Sequence, residues 1–106
     1  MNRRIITAAI ITLAASIAVP VFGQSAGADT YKSKCAMCHG PDGTAATPMG
    51  KMMKIPSFKD PDVVKSTDAT LVSVTTDGKG KMPSYNGKLT EAQIKDVVAF
   101  IRTLQK

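Results

Sequence analysis

Both cysteines and the only histidine of this 106-residue chain fall within five consecutive residues, Cys35-Ala36-Met37-Cys38-His39. That clustering limits what the chain can be built around. A metal site needing two histidines, a haem held between two histidines and a Cys2His2 zinc site are all excluded within one copy.

The spacing is C-x-x-C-H, the signature of covalent haem attachment. Positions i, i+3 and i+4 share one face of a helix, so both thiols and the imidazole point the same way. Cys35 and Cys38 can each add to a haem vinyl group as a thioether. His39 then sits beneath the iron as the proximal ligand. The competing reading of C-x-x-C is a redox-active thiol pair, as in thioredoxin-like proteins. It calls for a strand before the motif and a βαβ pattern around it, and no segment here alternates as a strand.

The N-terminus reads as a secretory leader. Met1-Asn2-Arg3-Arg4 is a short positive start, Ile5 to Phe22 is apolar or small with few polar interruptions, and Gly23, Ser25, Ala26, Gly27 and Ala28 are small. This is the charged, apolar, small-residue order of a signal peptide. Residues 1–23 are expected to be removed, leaving 24–106 as one domain. Cleavage after Ala28 is the alternative, and an uncleaved membrane anchor is the other reading. A domain this small makes a marginal core and gains from a bound group. Export places the protein in the periplasm.

Three helices are legible in the domain. The first is expected over about Ala28–His39, stopped by Gly40-Pro41-Asp42-Gly43. The second spans about Thr67–Thr76, capped by Ser66 or Thr67 and ended at Asp77-Gly78. The third opens on a capping box, Thr90 with Gln93. It continues with Ile94, Val97, Val98, Ile101 and Leu104 at helical spacing. A short helical turn is expected near Met49–Lys54. The fold class is all-α with much loop.

A haem iron with one histidine needs a second axial ligand or stays open. Met37 lies inside the attachment motif and cannot reach the opposite face. Met49, Met52 and Met53 read as flexible filler around the ring. Met82 stands in Gly78-Lys79-Gly80-Lys81-Met82-Pro83, a loop whose glycines permit close approach to a flat cofactor and whose Pro83 stiffens it. Met82 is the candidate distal iron ligand, with Met49, Met52 and Met53 next in line. Ile55, Phe58, Leu71, Val74, Ile94 and Val98 are candidates to pack on the ring. Tyr85 either bonds a haem propionate or covers the haem edge.

Three blocks together resemble class I cytochrome c, in its small bacterial mono-haem form. They are Gly27-x3-Tyr31-x3-Cys35-x2-Cys38-His39-Gly40, Gly78-x-Gly80-x-Met82-Pro83, and Val97-Val98-Ala99-Phe100-Ile101. The resemblance implies N- and C-terminal helices crossing beside one covalent haem c, with Gly27 at the crossing and Tyr31 meeting Phe100 or Ile101. Phe100 departs mildly from a position that is often Tyr or Trp. The resemblance also implies His39 and Met82 as axial ligands, and a proline carbonyl accepting the His39 N–H, with Pro48 the candidate and Pro56 the alternative.

The function expected is therefore an exported, non-enzymatic carrier of single electrons between redox partners. The alternative is a haem c module of a membrane-bound respiratory or dehydrogenase complex. A haem-free thiol oxidoreductase is the third class. The net charge of +6, with Lys79 and Lys81 beside Met82 and Lys51, Lys54 and Lys88 elsewhere, suits an acidic docking surface on a partner as well as a solubilising surface. Nucleic acid is not an expected partner, because basic and aromatic residues do not interleave. A monomer is expected, with membrane association only if the N-terminal segment is retained.

Overall fold

The computed structural model describes residues 22–106, so the leader expected over 1–23 lies almost wholly outside the described residues. Six helices follow in order: α1 (Phe22–Lys34), α2 (Ala36–His39), α3 (Pro48–Met52), α4 (Pro61–Lys65), α5 (Asp68–Asp77) and α6 (Glu91–Leu104). Among the described residues, extended pairing is confined to two isolated bridges, Lys79 with Met82 and Asn86 with Leu89. The architecture is all-α, as the sequence implies.

α6 organises the core. Its capping box closes as expected: the Gln93 N–H donates to Thr90 Oγ1 at 3.1 Å, and the Thr90 N–H donates to Gln93 Oε1 at 2.8 Å. Ile94, Val97, Val98 and Ile101 are buried along one stripe. α1 crosses that stripe at Gly27, where an added Cβ would lie 2.8 Å from the Asp96 carbonyl carbon and 3.3 Å from Phe100 Cβ. One turn on, Tyr31 is buried with Phe58, Val97 and Ile101, and its ring centroid is 5.2 Å from that of Phe100. The contact that the resemblance implied between Tyr31 and the C-terminal helix is present.

The Tyr31 hydroxyl donates to the Gly40 carbonyl at 2.6 Å. Tyr31→Phe leaves that carbonyl without its donor, at a cost of about 1–3 kcal/mol, read as a lower denaturation midpoint. Burial is the main cause pushing the phenol pKa up. The stabilisation that comes with the neutral phenol is therefore fully present below the ordinary tyrosine value of about 10 and is lost as pH rises from there through the raised folded-state value.

The first helix differs from expectation: the described residues are already helical from Phe22, ahead of the expected Ala28. It breaks at Cys35, whose φ and ψ are −118° and −34°. There the Cys38 N–H turns to the Cys35 carbonyl at 3.2 Å instead of Lys34, and α2 starts afresh.

α5 is capped by Thr67, whose hydroxyl accepts from the Thr70 N–H at 3.1 Å. α3 matches the expected turn and packs through buried Gly50, where an added Cβ would meet the Cys38 carbonyl oxygen at 2.7 Å. Its methionines therefore face away. Met52 is 74% exposed and Met49 37%, and Met53 is half-buried. α4 was not anticipated. Arg102 of α6 holds its end: Nη1 donates to the Val64 carbonyl at 3.3 Å, Nη2 donates to Ser66, and Nε pairs with Asp68 Oδ1 at 2.8 Å.

Candidate functional site

Helix ends leave carbonyls without helical partners, and α2 ends on the motif itself. Three successive carbonyls there are taken up from outside the helix. Thr47 Oγ1 donates to Cys38 at 2.8 Å, the Ala45 N–H donates to His39 at 2.7 Å, and Tyr31 donates to Gly40. The motif is thereby fixed from three directions. Of these anchors only Tyr31 stands out in the sequence; the Thr47 hydroxyl and the Ala45 N–H reach the motif only through the fold of the loop, which no spacing reveals.

The His39 ring stacks on Phe58, with centroids 4.6 Å apart and planes 19° from parallel. Burial lowers its pKa, so the imidazole is neutral near pH 7 and keeps the lone pair a metal needs. Its Nδ1 is buried without a hydrogen-bond partner. Neither Pro48 nor Pro56 accepts from it, which corrects the proline-carbonyl expectation. The chain comes back toward the imidazole after Pro56 with the Phe58 ring. Phe58, Ile94 and Val98 of the expected ring-packing set are buried, and Ile55, Leu71 and Val74 are half-buried.

Cys35 and Cys38 are half-buried and not bonded to one another. Burial first, and the neighbouring Cys38 second, push the Cys35 thiol up to about 11. A redox-active thiol pair works through a lowered pKa, so this site carries the opposite perturbation.

Met82 is half-buried in a tight turn. Its N–H donates to the Lys79 carbonyl at 2.9 Å, and the Lys79 N–H donates back at 3.2 Å. Gly78 makes the turn possible: its φ is +79°, and a Cβ there would sit 2.7 Å from the Met82 carbonyl oxygen. No hydrogen bond joins Met82 to the motif. The link comes three residues on, where the Tyr85 hydroxyl donates to the Lys34 carbonyl at 2.9 Å. Tyr85 thus bonds protein backbone, an option the sequence reading did not include.

Two thiols, one neutral buried imidazole with an unpartnered nitrogen, and a thioether in a separate loop form a donor set that fits a covalently attached haem. A helical domain closed by crossing terminal helices around a C-x-x-C-H turn defines the c-type cytochrome class. Residues 23–101 match the family described as "Cytochrome C oxidase, cbb3-type, subunit III". The chain is 31% identical over 108 residues to cytochrome c6 of Picosynechococcus sp., covering 93% of this chain and 92% of that protein. It is 35% identical over 80 residues to the cbb3-type cytochrome c oxidase subunit CcoP of Cereibacter sphaeroides, covering 74% of this chain but only 26% of that one. The solved structure of the KustC0563 c-type cytochrome superposes with a TM-score of 0.70 at 28% identity, covering 76% of this chain and 98% of that one. The chain belongs to the cytochrome c family. Its cofactor is accordingly one covalent haem c.

Proposed function

We propose that the protein is an exported carrier of single electrons, with Cys35 and Cys38 as the thioether anchors, His39 as the proximal ligand and Met82 as the distal one. The observation that carries the site assignment is the pinned motif: two unbonded thiols and a neutral, buried imidazole held on one turn. Haem c supplies an iron that alternates between Fe(III) and Fe(II), gaining or losing one electron. The chain's own residues decide how it is used. His39 presents a neutral nitrogen whose position is fixed through the Ala45 bond to its carbonyl. Met82 contributes a soft thioether, which favours the reduced state and raises the potential. With His39 and Met82 both holding the iron, no position on it would be open to a substrate, which supports carriage rather than catalysis. Apolar burial by Ile94 and Val98 disfavours the extra charge of the oxidised state.

Lys51, Lys54, Lys79, Lys81 and Lys88 are all exposed, and the Lys88 ammonium lies 6.0 Å from the centre of the Tyr85 ring. Basic groups around the Met82 arm suit a partner with an acidic docking surface, and their attraction would weaken with salt. The leader over 1–23 supports periplasmic export. Among the described residues no helix is long and apolar enough to cross a membrane.

An optical spectrum of the purified protein, oxidised and reduced, tests the reading. Attachment is tested by mass: the native chain is expected to keep one haem through denaturation. Cys35→Ala and Cys38→Ala should each weaken that retention, and the double variant should abolish it. Free thiols or an internal disulfide in the coloured protein would overturn the assignment.

The match to CcoP supports a second reading, a haem module of a larger complex. The chain spans about a quarter of that relative. N-terminal sequencing of the mature protein separates the two: a start near Gln24 favours the free carrier, and an intact Met1 favours an anchored module.

A further inference from the structure

We propose that Tyr85 is the positioning residue that holds the Met82 loop against the haem-attachment turn. The inference rests on the reading of Met82 as the distal ligand.

The argument begins at the break in the first helix. In an uninterrupted helix the Lys34 carbonyl would accept from the Cys38 N–H. Here that N–H turns to Cys35, and the Lys34 carbonyl is freed. The Tyr85 hydroxyl takes it at 2.9 Å. The carbonyl belongs to the peptide bond leading into Cys35, so the hydroxyl is fastened to the backbone beside the first haem anchor, 51 residues away in sequence.

The other side of the link is equally defined. Tyr85 belongs to an arm, residues 84–86, laid on the last turn of α5. The Tyr85 N–H donates to Thr75 at 3.2 Å, the Asn86 N–H to Thr76 at 3.1 Å, and Ser84 Oγ to Thr76 at 2.7 Å. Between that arm and the end of α5 the chain loops through Gly78 to Pro83, carrying Met82 in the turn closed on Lys79. The loop and arm make their other hydrogen bonds to α5, within themselves, or to the turn that follows, where the Lys88 and Leu89 N–H groups both donate to the Tyr85 carbonyl at 3.0 Å. The Tyr85 hydroxyl is their one hydrogen bond to the N-terminal part of the fold among the described residues. Burial is the main cause pushing the phenol pKa up from its ordinary value, so it remains a donor across the neutral range. Without the hydroxyl, loop and arm keep their bonds to α5 and to the following turn but lose their hydrogen-bonded tie to the attachment turn, which frees the 78–83 loop to move relative to it.

The test compares carbon monoxide binding to the reduced holoprotein across variants, together with the melting midpoint. Tyr85→Phe keeps the ring and deletes only the hydroxyl. It is expected to speed carbon monoxide entry about three- to tenfold, the latter corresponding to about 1.4 kcal/mol. It should also raise amide exchange in residues 79–82 while moving the melting midpoint little. Arg102→Lys, at the far end of α6, should lower the midpoint and leave carbon monoxide entry unchanged, which separates loop positioning from general stability. Met82→Ala sets the fully open rate. If wild type already binds as fast as Met82→Ala, the ligand reading fails. If wild type is slow, Met82→Ala fast and Tyr85→Phe indistinguishable from wild type, the ligand stands and the positioning role is overturned.

Discussion

Met82→Ala is expected to remove the weak sulfur-to-iron charge-transfer band at the red end of the oxidised spectrum, to lower the reduction potential and to open the iron to carbon monoxide or water. The substitution is a clean one. The turn around Met82 is closed by its backbone N–H and carbonyl, both paired with Lys79, and alanine retains both. The glycine that allows the turn, Gly78, is untouched. What disappears is the thioether, the soft ligand that favours Fe(II), so the potential falls. Met52→Ala should do none of this, because Met52 is 74% exposed and faces away from the surface on which α3 packs. Persistence of the band in Met82→Ala would pass the ligand role to another methionine, with half-buried Met53 and then Met49 ahead of Met52.

Local chemistry made α5 and α6 readable from sequence, while tertiary contacts decided the rest. Thr90 and Gln93 define a helix start within four residues of chain, and the apolar stripe that follows admits only one burial pattern. Thr67 and Gly78 bracket α5 in the same way. The first helix was legible in type but not in extent. Its break at Cys35 frees the Lys34 carbonyl from its ordinary helical partner, and the reward lies in Tyr85, far along the chain. α4 is short and marginal alone. It stands because Arg102 binds the carbonyls at its end, and an arginine on the polar side of an amphipathic helix looks like a solvated charge. In α3, Gly50 takes the face packed on the attachment turn and leaves Met49 and Met52 exposed, a placement that methionine spacing alone does not give. In the site, C-x-x-C-H was visible because five adjacent residues carry it. The support from Thr47 and Ala45, and the stacking of Phe58 on the His39 ring, were not, since they depend on how the loop from Gly40 to Phe58 folds back.

Gly27→Leu is expected to destabilise the domain by about 3 kcal/mol, the upper end of the usual overpacking cost. The position is the point of closest approach between α1 and α6. An added Cβ would meet the backbone carbonyl of Asp96 inside contact distance, with the carbonyl carbon at 2.8 Å. A side-chain neighbour could rotate away, but Asp96 is held within α6 by that helix's own bonds, so the two helices must separate. Separation strips cover from Tyr31 and Val97, the two most deeply buried large side chains, and loosens the Tyr31 bond to Gly40 just after the motif. Loss should therefore reach the haem site: a lower melting midpoint together with weaker protection of the motif amides in hydrogen exchange. Gly27→Ala, which adds only the Cβ, should lie between wild type and leucine. A melting midpoint unchanged by leucine would show that α1 does not pack on α6 at Gly27. The leader would then be free to end after Ala28, beyond the crossing glycine.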